Sequence, residues 1–217
     1  ITAISRYLAD WARRLGANSP VKVVPNGVDL AKFFLRTLIH WPVGQLRENF
    51  SLEENDKIII TVSRLVKKNA VEDIIKSLVY LSENVKLLIF GDGSDRQALD
   101  NLVNNLKLEK RVIFAGQVAH DILPQYLAMA DIFVRPSISE GQGISFLEAM
   151  AAGVPVVATP VGGIVDFLRD PSDGLEQATG LFCEVKNPQS IALKVKTLLE
   201  NKVLTEKIKM NARELVI

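Results

Sequence analysis

Residues 130–158 read Ala-Asp-Ile-Phe-Val-Arg-Pro-Ser-Ile-Ser-Glu-Gly-Gln-Gly-Ile-Ser-Phe-Leu-Glu-Ala-Met-Ala-Ala-Gly-Val-Pro-Val-Val-Ala. A short apolar run, Ile132–Val134, gives way to a loop rich in turn-forming residues, then to a helical pattern over 145–152, then to a second β-branched run, Val154–Ala158. Runs this short are continuous in apolar residues rather than alternating, as strands buried on both faces of a parallel sheet require, and the helix between them is the crossover. The stretch is one strand–loop–helix–strand unit, and it places the chain in the α/β class.

The same alternation extends outward in both directions. Strands are predicted at Val21–Val24, Ile58–Val62, Val85–Phe90, Val112–Phe114 and Gly180–Cys183, with helices near 70–82, 94–106, 121–130, 163–169, 188–200 and 203–215. The expected architecture is a doubly wound parallel, Rossmann-like sheet. Ser94 with Gln97 and Ser145 with Glu148 have capping-box spacing, and Asn187-Pro188 is a cap followed by a proline suited to the first helical turn. Thr2–Leu15 has helical apolar spacing, Phe33–Asn49 has no clear period, and Asp170–Gly174 reads as a polar surface turn. The chain opens on Ile1 rather than Met, without a signal-peptide pattern, and is read as a fragment lacking its upstream part.

Composition narrows the functional classes. Among 217 residues, 26 Lys and Arg face 25 Asp and Glu, a formal net charge of +1, so there is no global field to draw nucleic acid or an anionic membrane. Any anion site must be local. The single Cys183 excludes an internal disulfide framework and a cysteine-rich zinc site, fits a reducing compartment, and reads as a small buried hydrophobe. The longest uncharged stretch, Ala149–Val165, is broken by Gly153, Pro155, Pro160, Gly162 and Gly163 and cannot be a continuous membrane helix.

Open parallel sheets place ligands outside the carboxyl ends of their strands, which directs attention to the loops after Val62, Phe90, Phe114, Val134 and Ala158. After Val62 come Arg64, Lys67 and Lys68, beside a helix start at which Asn69 reads as the N-cap with Glu72 at N3. Cations beside the free N–H groups of a helix start can hold a diphosphate, although a solvated basic turn alone gives the same pattern. After Val134 come Glu140 and Glu148, separated by Gly141 and Gly143, so that two acids can face one cleft where the backbone approaches a ligand closely. A capping role explains Glu148 equally well, and ordinary exposure explains Glu140. Gly91-Asp92-Gly93-Ser94 begins like a dinucleotide fingerprint, but Arg96 stands in place of its third glycine, and the segment reads as a tight turn feeding the Ser94 cap. His40 and His120 have no Ser, Cys or acidic partner at recognisable spacing and are read as surface residues, while Trp11 and Trp41 are read as packing residues.

Taken together, Pro25-Asn26-Gly27-Val28-Asp29, Ser63-Arg64-Leu65, Phe90-Gly91-Asp92-Gly93, Ala130–Ser137, Glu140-Gly141-Gln142-Gly143 and Leu147–Ala158 resemble glycosyltransferase family four, the retaining group 1 glycosyl transferases of the GT-B fold. The two glutamates with seven residues between them are among the family's most specific marks. The resemblance implies two facing Rossmann-like domains, with this chain as the C-terminal, donor-binding one: residues 1–30 would end the N-terminal domain and its connecting segment, and 31–217 would bind the nucleotide sugar. It further implies that Glu148 takes the ribose hydroxyls, Glu140 the transferred sugar, and Arg64 the phosphates. Backbone N–H groups of Gln142, Gly143 and Ile144 would meet the sugar and distal phosphate, and the backbone at Val118 the base. The family usually carries Lys where Asn69 stands; that role passes to Lys68, with Lys67 and Asn69 as alternatives. An aromatic residue is common at Gln142, so the departure there bears on sugar preference or pocket polarity.

No metal ion or other cofactor is implied, the substrate being a nucleotide-diphosphate sugar and the acceptor a sugar or lipid held by the N-terminal domain. A cytoplasmic location follows, with contact at the inner membrane face open to the longer protein only, and no nucleic-acid partner is expected. A catalytically silent nucleotide-binding or interaction module and an NAD-dependent oxidoreductase are the competing readings.

Overall fold

The computed structural model describes residues 1–34 and 43–216. The chain runs β1 (Thr2–Ala3), α1 (Arg6–Arg14), β2 (Lys22–Val23), α2 (Leu30–Phe34), α3 (Val43–Asn49), β3 (Lys57–Val62), α4 (Val71–Ser77) and β4 (Val85–Phe90). It continues through α5 (Arg96–Asn105), β5 (Val112–Gly116), α6 (Leu123–Ala128), β6 (Ile132–Arg135), α7 (Ile144–Ala151) and β7 (Val156–Ala158), and ends with β8 (Leu181–Phe182), α8 (Pro188–Glu200) and α9 (Lys202–Val216). Six strands form one sheet in the order β5-β4-β3-β6-β7-β8, and every pairing in it is parallel. From β3 the chain adds strands first on one side and then, from β6, on the other. The reversal leaves a crevice between the carboxyl ends of β3 and β6, where open α/β sheets bind their ligands.

Strand side chains alternate between two apolar layers. Ile58 and Ile60 of β3, Leu88 and Phe90 of β4 and Phe133 of β6 face Leu127 of α6 and Phe146 and Met150 of α7. Ile59, Leu87, Ile89, Ile132 and Val134 face the other way, toward Ile74 and Ile75 of α4, Leu99 of α5 and Val195 of α8. Burial on both faces is why these strands carry no polar period.

Several local expectations are revised. The strand expected at Val21–Val24 pairs only with β1, in a separate two-stranded parallel sheet. The helix expected from Thr2 begins at Arg6, where Ser5 Oγ accepts from the Leu8 N–H at 3.2 Å. Residues near 163–169 form a 3-10 turn, Gly162–Asp166, rather than an α-helix. The aperiodic stretch from Phe33 holds α2 and α3, anchored by the buried Phe33 and Leu46. Ser94 caps nothing, because Asp95 takes the N-cap position of α5 and Ser94 Oγ bonds to it at 3.1 Å. The Ser145–Glu148 box is also not formed: α7 starts at Ile144 with Gly143 in the left-handed region (φ 80°), which leaves both side chains free for other partners. Asn187 does cap α8, accepting from Ser190 N–H at 3.0 Å. Trp11, expected to pack, is 54% exposed. His40 and Trp41 lie outside the described residues.

Cys183 is buried, and its thiol lies 3.4 Å from the Ala158 carbonyl oxygen. Burial pushes the thiol up from its ordinary 9.0 to about 12. The folded thiol therefore stays protonated where the unfolded one ionises, and this group withdraws stability as pH rises from about 9 toward about 12. A thiol reagent at pH 8 is expected to leave the native protein unlabelled and to label it fully in denaturant; rapid native labelling would contradict the burial.

Candidate functional site

A cleft of about 510 Å³ opens at the crevice between β3 and β6. Arg64, Lys68 and Asn69 reach it from the loop after β3, Val118 from the chain after β5, and Glu140, Gly143, Ile144 and Glu148 from the β6–α7 loop and α7. Residues from three separate stretches of sequence thus meet in one place. The side chains of two residues considered for this site turn elsewhere, although the role expected of Gln142 belongs to its backbone N–H and not to its side chain. Lys67 lines a different groove, with Glu72, Lys76 and Leu99. The buried Gln142 side chain accepts from the Asn26 N–H at 3.0 Å and donates to the Asn26 carbonyl oxygen at 3.4 Å. Between the lysines, geometry selects Lys68 for the cleft, whatever its role.

The Gly-Asp-Gly turn after β4 seats the basic loop rather than feeding a cap. Gly91 has φ +131°, and a Cβ placed there would lie 1.9 Å from the Ser63 carbonyl oxygen; at Gly93 it would lie 2.3 Å from that of Leu65. Those gaps allow Ser63 N–H to bond to Phe90 O (3.0 Å) and Leu65 N–H to Asp92 O (2.9 Å). Arg64 is held between these two bonds. Asn69 is not a helix cap either, since Ala70, in the left-handed region at φ 51°, precedes α4. Instead, the buried Asn69 amide donates to the Arg64 carbonyl oxygen at 2.7 Å.

Arg135 is the residue that sequence reasoning missed. It sits at the end of β6, only 9% exposed, and pairs with Glu140, itself 8% exposed. Its other contacts are Ser145 Oγ at 2.9 Å, Asn69 Oδ1 at 3.3 Å and the face of Phe146, 5.2 Å from the ring centroid. Burial lowers the guanidinium pKa and Glu140 opposes the effect. Within the motif Arg-Pro-Ser nothing marks the arginine as buried, because its partners lie 5, 10 and 66 positions away.

His120 also departs from expectation. Its Nε2 lies 2.7 Å from Glu148 Oε1 and its Nδ1 lies 3.1 Å from Lys32 Nζ. An ammonium can only donate, so Nδ1 accepts from it, and Nε2–H donates to the Glu148 carboxylate. The acid partner stands 28 residues along the chain, beyond the reach of any local spacing rule. Chemically, the cleft is lined by cations beside a helix start and by two carboxylates, one of them braced by an imidazole. That arrangement suits an anion joined to a polyhydroxylated group.

The sequence pattern of the family described as "Glycosyl transferases group 1" matches residues 44–215. The chain belongs to the group 1 glycosyl transferases. It is 32% identical over its whole length to N-acetyl-alpha-D-glucosaminyl L-malate synthase of Bacillus anthracis, covering 54% of that protein. Among solved structures, HepE of Anabaena, in complex with UDP-glucose, superposes with a TM-score of 0.88 at 26% identity, over 100% of this chain and 58% of that one. The C-terminal domain of a group 1 glycosyl transferase of Francisella tularensis superposes with a TM-score of 0.72 at 26% identity, over 88% of this chain and 96% of that domain. The group 1 transferase described here is thus a C-terminal Rossmann-like unit of the GT-B fold, and it spans about half the length of the curated relatives it matches. The fold expected from the residues and the family expected from the motifs agree with these likenesses.

Because the Gly91 backbone already lies in a region that L residues avoid and its Cβ would strike backbone, Gly91→Ala is expected to destabilise this transferase by about 1–3 kcal/mol. The loop carrying Arg64 must shift as well, so anion binding should weaken with it. Urea unfolding and pyrophosphate titration read the two effects, and an unchanged variant would show that the turn does not seat the loop.

Proposed function

We propose that this chain is the donor-binding half of a retaining glycosyltransferase, moving a sugar from a nucleotide-diphosphate sugar to a sugar or lipid-linked acceptor. The observation that carries the reading is the convergence of Arg64 and Lys68 with Glu140 and Glu148 on one cleft at the topological reversal. Residues 1–30 are read as the end of an N-terminal domain and its connecting segment, with residues 31–217 as the donor domain. The acceptor would be held by the remainder of the N-terminal domain. A cytoplasmic setting fits this chemistry, and no described helix is long and apolar enough to cross a membrane.

The barrier lies in breaking the bond between the anomeric carbon and the phosphate oxygen. Negative charge grows on the departing diphosphate while the sugar takes on oxocarbenium character. Donors fixed where charge develops are usually the largest catalytic term, each worth about 2.7–4 kcal/mol. Arg64, Lys68 and the free N–H groups at the start of α7, including those of Gly143 and Ile144, are assigned that task, with no metal ion required. Glu148 would accept from the ribose diol, Glu140 from the sugar hydroxyls, and the Val118 backbone would meet the base. Asn69 would support the phosphate site through the Arg64 backbone it already holds.

Four measurements test this. Glu148→Ala should weaken nucleoside diphosphate binding far more than pyrophosphate binding, since only the nucleoside carries a diol; equal losses would remove Glu148 from the ribose. Glu140→Ala should abolish the preference for a sugar nucleotide over the bare nucleoside diphosphate. Donor binding should persist in excess chelator and fall on Arg64→Ala or Lys68→Ala, and full dependence on added Mg²⁺ would overturn the metal-free reading. Alignment of acceptor and donor can supply roughly 7–11 kcal/mol of barrier lowering, so this chain alone should bind donor without transferring sugar. Robust transfer by the 217-residue chain would place the acceptor site within it instead.

A further inference from the structure

The paired arginines of the cleft go beyond the assignments above, although their interpretation rests on the nucleotide-diphosphate reading. Arg64 and Arg135 line the same cleft and are joined by one side chain: Asn69 donates to the Arg64 carbonyl oxygen at 2.7 Å and accepts from Arg135 Nη2 at 3.3 Å. Burial first, and then the nearby positive charge of Arg64, lower the Arg135 pKa, so the two cations repel each other across a partly desolvated space. Among the described residues, Glu140 offsets the repulsion, through its ion pair with Arg135. The Arg135 Nε–H is buried without a hydrogen-bond partner, as is Ser63 Oγ at the same cleft. Two arginines lining one cleft, with unpartnered buried polar atoms at Arg135 Nε and Ser63 Oγ and one carboxylate, Glu140, that is paired with Arg135 and accepts from the Gly141 N–H at 2.9 Å, form an anion site occupied by the protein's own anion.

We propose that Arg135 is a second diphosphate-binding arginine, and that Glu140 is the internal anion which occupies it until the donor arrives. On donor binding the phosphate replaces the carboxylate at Arg135, and Glu140 is released to accept hydrogen bonds from the sugar. Recognition of sugar and of diphosphate is thereby linked: a ligand with phosphate but no sugar must displace Glu140 and leaves it unsatisfied, whereas a sugar nucleotide satisfies both. No bond is made or broken in this exchange. Asn69 ties the Arg64 backbone to the Arg135 guanidinium through these two hydrogen bonds.

The sign of one substitution separates this exchange from a purely structural ion pair. In the intact protein, calorimetric titration with inorganic pyrophosphate and with UDP and GDP is carried out for the wild type, E140Q, R135M and the double variant R135M/E140Q, with thermal unfolding recorded for each. E140Q removes the competitor and is expected to bind pyrophosphate about tenfold more tightly than wild type, while R135M is expected to bind it about tenfold more weakly, the scale of one charge-assisted contact. The double variant lacks the unpaired buried carboxylate, so it tests Arg135 even if R135M alone fails to fold. Weak pyrophosphate binding by R135M/E140Q supports a direct phosphate contact. Wild-type affinity in the double variant, weaker binding by E140Q, or no pyrophosphate binding by the wild type would each overturn the proposal. Pyrophosphate bound with this pattern, but neither UDP nor GDP bound, would leave the arginine site standing and remove the nucleotide-sugar reading instead.

Discussion

The pairing of β3 with β6 is the constraint from which the cleft follows. It is made by only two registered partners, Ile59 with Ile132 and Ile60 with Phe133, yet it fixes the distance between the loop that leaves Val62 and the loop that leaves Arg135. Both strands are buried on their two faces, so neither can slide by one residue without moving its apolar set to the opposite layer. The basic loop and the acidic loop are opposed because their strands are locked side by side. Everything that could bind a ligand at this site hangs on that register.

Charge placement obeys a second constraint, desolvation. Arg135 and Glu140 are both nearly inaccessible, and the loss of either would leave the other charge buried without its partner, a situation that typically costs about 3–5 kcal/mol. An apolar pair of similar volume could fill the same space at least as stably, so stability alone does not account for the ion pair. Its position at the mouth of the sheet reversal, in contact with the lining residues Asn69 and Ser145, ties it to the ligand face rather than to the packing layers. By contrast, the imidazole of His120 is half exposed and braces Glu148 from the solvent side, where it fixes the carboxylate without sealing it.

The strand runs were legible in the sequence because a buried parallel strand has a signature that needs no partner: Ile58–Val62 and Val85–Phe90 are continuous, short and β-branched or apolar. Arg64, Lys68, Glu140 and Glu148 also stood out, for a related reason, since loops after strand ends can be located once the strands are, whereas the backbone roles of Val118, Gln142, Gly143 and Ile144 were marked only by the resemblance to the family. What stayed hidden was every feature set by a partner far along the chain. Arg135 reads as an ordinary loop cation until Asn69 is beside it, and His120 as a surface histidine until Glu148 is. The Ser145–Glu148 capping box failed for the same reason in reverse: its residues have the local spacing of a cap, but more distant partners, Arg135 and His120, take their side chains.

Gln142 shows how a local departure can have a long-range use. Its amide makes both hydrogen bonds that the Asn26 backbone offers, one accepted and one donated, as a neighbouring strand would. Asn26 itself lines the cleft, so the segment leading from β2 forms part of the cleft wall and is tied to the loop that carries Glu140. The contact is reinforced by close packing: a Cβ at Gly141 would meet Leu8 at 3.3 Å and Ile4 at 3.7 Å, and one at Gly163 would meet Ser5 at 2.6 Å. Packing this tight transmits displacement instead of absorbing it. A movement of residues 1–26 must therefore carry the glutamate loop with it or break the amide bonds at Gln142, and an aromatic ring at that position, which has no amide, could offer only the packing half of this connection.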